Sequence, residues 1–163
     1  WENIDVILQG TMNYSFKEQE NIEPEDLRFD IIRGTTTIPR LVGEFARDES
    51  GLEDLLHRFG SVGGFFAFDV PGLNEMPEAE REAAIDEACT ALENYVSSHA
   101  EGHCVDFIGR AVGRFHVYVD FIAYDIRAVC NAAFEYFENY DTPFAAFQTY
   151  RRHVAWYNMK KQS

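Results

Sequence analysis

Along the chain the spacing of apolar residues switches between a period near 3.6 and a period of two, and each switch marks an element. Ile85, Cys89, Leu92 and Val96 recur every three or four positions, while Arg81, Asp86, Glu87, Glu93 and Asn94 fall elsewhere, the stripe of an amphipathic helix. Met76-Pro77 followed by Glu78, Glu80 and Glu82 marks its start, because a first turn tolerates proline and negative charge suits the positive end of the helix dipole. The helix is predicted over 77–98. Beyond Gly102, the residues Val105, Phe107, Phe115, Val117, Val119 and Phe121 alternate with Asp106, His116, Tyr118 and Asp120. That alternation predicts a hairpin, with strands over 103–111 and 114–121 and a turn at Val112-Gly113. From Ala123 the helical period returns through Ile126, Val129, Cys130, Ala133 and Phe137, predicting a second helix over 123–139 that stops near Asp141-Thr142-Pro143.

Gly63 to Val70 is apolar almost throughout and rich in phenylalanine, which predicts a central strand buried on both faces. Residues 143–149 supply a last strand, with Pro143 at its start. Phe147, Tyr150, Val154 and Tyr157 also fit a helical period, so a terminal helix over 150–158 is open as an alternative. In order these elements spell βαββαβ, the ferredoxin-like arrangement of an α+β domain, an antiparallel sheet with two helices on one face. Residues 1–60 read as a β-rich extension of the same domain, 61–158 as the ferredoxin-like core and 159–163 as a frayed tail.

Within the extension, Ile4, Val6 and Leu8 and then Met12, Tyr14 and Phe16 alternate as two short strands or one bent strand. Phe29 and Ile31 suggest a third strand, and Leu41, Gly43 and Phe45 a fourth, with Gly34 and Thr35-Thr36-Thr37 between them. Ser50 and Glu53 stand at capping-box spacing before a short helix whose apolar side is Leu52, Leu55, Leu56 and Phe59.

Composition narrows the function. With 163 residues the chain has one domain's worth of material, and 46% hydrophobic with 15% aromatic content is ample for a core. Against 14 basic residues stand 28 acidic ones, a formal net charge of −14. Such a field repels phosphate backbones, and no cluster of lysine and arginine interleaved with aromatics appears, so nucleic acid is not the expected partner. Three cysteines without CxxC spacing, Cys89, Cys104 and Cys130, read as free thiols in a reducing, cytoplasmic compartment. No apolar run is long enough to span a membrane.

Chemical signatures are sparse. His99, His103 and Cys104 do not make a recognised zinc pattern, and neither a phosphate loop nor a GxSxG elbow is present, so no metal, cofactor or catalytic set is assigned. Asp106, His116, Tyr118 and Asp120 are expected on the polar outer face of the hairpin, where His116 with Asp106 or Asp120 offers a general base. A half-buried antiparallel sheet carries such a face in any case.

The stretches Gly64-Phe65-Phe66-Ala67-Phe68-Asp69-Val70 with Asn74-Glu75-Met76-Pro77, and Phe107-Ile108-Gly109-Arg110-Ala111-Val112-Gly113-Arg114-Phe115-His116-Val117-Tyr118-Val119, carry a resemblance. Over roughly residues 40–158, ending near Trp156-Tyr157, the chain resembles a bacterial domain family of unknown function, the one numbered six hundred and ninety-five. That family is related in fold to the acidic ribonuclease E inhibitor called regulator of ribonuclease activity B. The resemblance implies a ferredoxin-like fold and a role in binding another protein, and it brings no catalytic residues.

The expected function is therefore a non-enzymatic protein-binding or regulatory module whose partner has a basic surface. Its expected binding residues are Glu78, Glu82, Asp86 and Glu93 on the acidic helix, together with Tyr118, Tyr136 and Trp156 from an exposed aromatic set. A homodimer, a toxin-neutralising immunity protein and a small enzyme using His116 are the alternatives.

Overall fold

Strand β3 (Val62–Phe68) runs through the interior with every side chain from Gly63 onward buried. Its alternate residues feed two different cores. Phe66 and Phe68 point to one face of the sheet, with Val119, Phe121 and Phe147 from neighbouring strands. Phe65 and Ala67 point to the other, with Tyr118, Ile122, Ala146 and Tyr150. A period of two applied to a run without polar residues leaves no solvent face, and burying each phenylalanine contributes about 1.5–3 kcal/mol.

The computed structural model describes residues 11–160. Around β3 the other elements are β1 (Met12–Ser15), β2 (Ile31–Thr36), α1 (Pro39–Ala46), α2 (Gly51–Arg58), a single 3-10 turn (Leu73–Glu75), α3 (Glu78–His99), β4 (Val105–Gly113), β5 (Val117–Ala123), α4 (Ile126–Asn139), β6 (Ala145–Thr149) and β7 (Tyr157–Asn158). The strands form one seven-stranded antiparallel sheet in the order β1-β2-β4-β5-β3-β6-β7. The result is a mixed α/β fold. The strand expected at Ile4, Val6 and Leu8 lies outside the described residues, as do positions 161–163 of the expected tail.

Helix α3 buries Ile85, Cys89, Leu92 and Val96, the stripe read from the sequence, and ends at Ala100 as the backbone becomes extended. Helix α4 packs beside it through Val129, Ala132, Ala133 and Phe137, and its first turn is capped by the Asp125 carboxylate, which accepts from the Ala128 N–H at 3.2 Å. Both helices cover the face that holds Phe66 and Phe68.

Several expectations are corrected. Opposite the face shared by α3 and α4, the extension is not β-rich alone but supplies two helices: α1 delivers Leu41 and Phe45 to the Phe65 face while Leu52 and Leu56 of α2 pack against them. Leu41, Gly43 and Phe45 therefore lie on a helix rather than a strand, and Pro39 in its first turn is the signal that separates the two readings. Gly34 and the threonines after it, expected as a connection, lie in β2 as far as Thr36. Strand β4 continues through Val112-Gly113, and the turn falls at Gly113–His116, closed by the Gly113 N–H donating to the His116 carbonyl at 2.8 Å. The last segment is no helix: β7 adds to the sheet beside β6. Ser50 occupies the N-cap of α2 but makes no capping bond, and Glu44 of α1 takes that task by accepting from the Leu52 N–H at 2.8 Å.

At Gly109 β2 and β4 approach closely. A Cβ there would stand 2.2 Å from the Thr35 carbonyl oxygen, inside any allowed contact, so only glycine lets the strands meet at this register.

Candidate functional site

The polar residues of β5 are not on an outer face. Tyr118 and Asp120 are fully buried in the core under α1 and α2, because the segment Leu27–Asp30 folds over them and supplies their partners. Arg28 donates through Nη1 to Asp120 Oδ1 at 2.6 Å and through Nη2 to the Tyr14 hydroxyl at 3.1 Å. Its backbone N–H donates to the Tyr118 hydroxyl at 2.9 Å, and that hydroxyl in turn donates to Asp30 Oδ1. Asp30 Oδ2 accepts from the backbone N–H groups of Phe115 and His116 at 2.8 and 3.1 Å. One short segment thus satisfies the middle of β5 and the β4–β5 turn together.

Electrostatics follow from burial. Desolvation opposes the charge on Arg28, and the adjoining Asp120 carboxylate outweighs it, so the guanidinium is held more firmly protonated than usual. Burial pushes the Asp120 carboxyl upward while Arg28 pulls it back, and the 2.6 Å contact keeps the two as an ion pair. Burial, followed by the Asp30 charge and hydrogen bond, raises the Tyr118 hydroxyl well above the ordinary tyrosine value.

His116 is also buried, and its partner is neither Asp106 nor Asp120. Nδ1 lies 2.6 Å from Asp69 Oδ1 and Nε2 lies 2.7 Å from the Pro24 carbonyl oxygen. Both neighbours are acceptors, so the ring is an imidazolium that donates at both ends. Burial lowers its affinity for a proton, but the hydrogen bonds to Asp69 and Pro24 together with the Asp69 and Asp30 charges prevail, and the net shift is upward. A ring with both nitrogens committed has no lone pair for a substrate proton, which removes the general-base geometry. The two aspartates once offered as its partners are engaged elsewhere: Asp120 with Arg28, and Asp106 with the Tyr124 hydroxyl at 2.5 Å and His103 Nε2 at 3.2 Å. Beside His116 opens a cleft of about 930 Å³ between β2, the β3–α3 connection and the β4–β5 turn, with Arg33, Arg81, Arg114, Glu78 and Glu82 on its walls.

The acids expected on α3 divide into two groups. Glu93 is tied to Arg110 of β4 by Nε–Oε2 and Nη2–Oε1 contacts of 2.8 and 3.1 Å, Asp86 stands 3.7 Å from the same guanidinium, and Glu82 stands 3.8 Å from Arg33. These three hold the helix to the sheet. Glu78 is exposed and carries no ion pair among the described residues, as are Glu75, Glu80 and Glu87. Of the aromatic set, Tyr118 is withdrawn as a surface residue by its burial. Tyr136 is half-buried between Tyr95 and Tyr140, and Trp156 is half-buried with its indole N–H donating to the Glu25 carbonyl at 3.2 Å.

Glu53 was missed as a special residue. Its carboxylate is completely buried, with Oε1 accepting from the Gly63 N–H at 2.9 Å and lying 2.8 Å from His57 Nε2, while Oε2 has no hydrogen-bond partner. Burial, opposed by the Gly63 bond and the Arg151 charge, pushes the carboxyl up to about 7. Its position in the first turn of α2 resembles a capping acid, and nothing local to it signals that it turns inward. Among the described residues no cluster of histidine, cysteine and acids is arranged to hold a metal, and no helix is long and apolar enough to cross a membrane. No known protein family, curated protein or solved structure matches the chain.

Proposed function

We propose that this chain is a non-enzymatic protein-binding or regulatory module on a ferredoxin-like core, and that its partner carries a basic surface. For the core, the support is the strand order β4-β5-β3-β6 with α3 following β3 and α4 following β5, both helices on one face. The family resemblance read from the Gly64–Val70 and Phe107–Val119 stretches points to the same core and to the same kind of role. The observation that carries the function is the set of exposed acids Glu75 in the turn before α3 and Glu78, Glu80 and Glu87 in its first three turns, which form no ion pair among the described residues. Of the basic residues around them, Arg81 turns its guanidinium onto the carbonyls of Met76 and Asn74, Arg33 stands beside Glu82, and Arg114 lies across the cleft, so the acids here outnumber the cations. The helix therefore projects an unneutralised negative field, which steers a cationic surface toward it. The doubly committed His116 ring favours binding over catalysis.

Affinity capture from native lysate at low and physiological salt supplies the partner for the decisive measurement. Combined Glu78→Gln, Glu80→Gln and Glu87→Gln replacement is expected to slow association about tenfold and to flatten its salt dependence, with Tm unchanged. Equal binding by this variant, or retention of nucleic acid in place of protein, rejects the reading.

A further inference from the structure

The Arg28 guanidinium sits inside an aromatic cage. The ring centroids of Phe65, Tyr150, Tyr118 and Phe45 lie 5.1, 5.2, 5.7 and 5.9 Å from its central carbon, and Asp120 provides the counter-charge. Aromatic faces arranged around a cation, with a carboxylate at the base, are how proteins take up guanidinium and alkylammonium groups. Here the chain supplies the cation itself.

Three observations set this apart from an ordinary buried ion pair. Arg28 does not use the whole polar capacity of the cage: Asp120 Oδ2 and the Tyr150 hydroxyl have only one another to bond, and Arg28 meets the carboxylate through one nitrogen where a fork would use two. Next to the guanidinium lies a cavity of about 110 Å³ lined by Phe16, Gln19, Phe29, Phe45 and Arg152, which gives the side chain somewhere to go. The occupant also sits at a strained backbone position. Arg28 has a positive φ of 72°, a conformation unfavourable for any residue with a Cβ, and the preceding residues 17–26 are almost all exposed.

We propose that this cage is a guanidinium-binding site closed in cis by Arg28, and that its external ligand is an arginine side chain of the protein partner. The proposal rests on the reading of a basic-surfaced partner and adds the residue type that the partner must present. Arginine is favoured over lysine because a planar fork can lie against the rings and engage both oxygens of Asp120, whereas an ammonium is a compact, strongly hydrated point charge. Tethering gives Arg28 a high effective concentration, so a free cation competes poorly. A partner held on the acidic start of α3, a helix packed on the opposite face of the sheet from the cage, offsets that disadvantage when its arginine reaches round the end of the sheet. Displacement also pulls on the Glu25 carbonyl bound by Trp156 and the Pro24 carbonyl bound by His116.

The test uses the whole chain with Trp1→Phe, which leaves Trp156 as the fluorescent reporter of the segment. Arg28→Ala empties the cage, and N-methylguanidinium is titrated while Tm and Trp156 emission are followed. A saturable rise in Tm is expected in Arg28→Ala, about tenfold weaker when Asp120→Asn is added, about tenfold weaker with methylammonium, and absent in the chain that retains Arg28. A folded Arg28→Ala protein with no saturable response, or with equal response to methylammonium, overturns the proposal. If Arg28→Ala does not fold, Arg28→Gly, which empties the cage and relieves the positive φ at this position, is titrated in its place, and the absence of a saturable response to N-methylguanidinium there overturns the proposal. The small-cation titration does not involve the α3 acids, so its failure leaves the proposed function standing, and loss of the acid effect on partner binding leaves the cage standing.

Discussion

Arg28 Nη1 and Asp120 Oδ1 meet at 2.6 Å with both side chains buried, joining a connecting segment to the middle of β5 across 92 positions of sequence. Removing one member of such a pair strands the other charge. Arg28→Met alone and Asp120→Val alone are each expected to lower stability by about 3–5 kcal/mol, whereas the double replacement recovers most of that loss, since an apolar pair leaves no buried charge. Urea unfolding of the four proteins in the cycle measures this. Additive losses in the double variant would show that the pair is not coupled.

Proton binding at Glu53 and His116 gives stability one direction of pH dependence. Burial raises Glu53 from 4.5 to about 7, so between those values the folded chain holds a proton that the unfolded chain has released, and stability falls as pH rises through that window. The carboxylate is inaccessible but shallow, covered by the half-exposed His57, so the effect is roughly 3 kcal/mol at most. His116 is raised from 6.5, and the stability it adds is complete below that value and lost as pH climbs through its folded-state value. Thermal melts from pH 4.5 to 8.5 should therefore show falling Tm. Glu53→Gln should remove the slope below pH 7 and leave the loss above it.

The β2–β4 contact at Gly109 predicts a sharp positional contrast. Gly109→Ala drives a methyl against the Thr35 carbonyl and is expected to cost about 2–4 kcal/mol. At Gly60, where a Cβ would meet nothing, alanine carries only the strain of φ +77° and should cost about 1–2 kcal/mol. Equal midpoints for the two variants in chemical denaturation would contradict the register.

Thiol reactivity should follow burial. Burial raises Cys89 and Cys130 to about 12 each, and Cys89 has no exposed surface. Cys104, partly exposed with its thiol donating to the Glu101 carbonyl at 2.5 Å, should react first with a disulfide reagent. Its replacement by serine should abolish the fast phase of labelling in native protein.

Local periodicity carried α3, α4 and β3 through β6, because each hides a regular stripe or an unbroken apolar run that owes nothing to distant residues, and it located α2, although there Leu52, Leu55 and Leu56 are half-buried, Phe59 is exposed and Glu53 is the buried residue. It failed where two periods coincide. Leu41 and Phe45 fit both i, i+4 and i, i+2, i+4, and only Pro39 favours the helix. It failed again on the polar half of β5. Alternation correctly separates Tyr118 and Asp120 from Val117, Val119 and Phe121, but which face meets water depends on what covers it. The cover comes from Leu27–Asp30 and α1, and the charges that make burial tolerable, Arg28 for Asp120 and the Asp69 carboxylate for His116, are remote in sequence. The acids of α3 were legible as a group. Their division into those held by Arg33 and Arg110 and those left to solvent depends on the sheet beneath them.

Strand β3 has a consequence for how the molecule is made. Both of its neighbours lie downstream, β5 beginning at Val117 and β6 at Ala145, so as the chain leaves the ribosome the run Phe65-Phe66-Ala67-Phe68 has no strand to pair with until most of the protein has been synthesised. During that interval it is an uncharged, aromatic, strand-forming segment of the kind that pairs with copies of itself. Long-range pairing of this sort is slow to form, which lengthens the time the segment spends unpaired. The strand buried at the centre of the finished sheet is the one that waits longest for its neighbours in the unfinished chain.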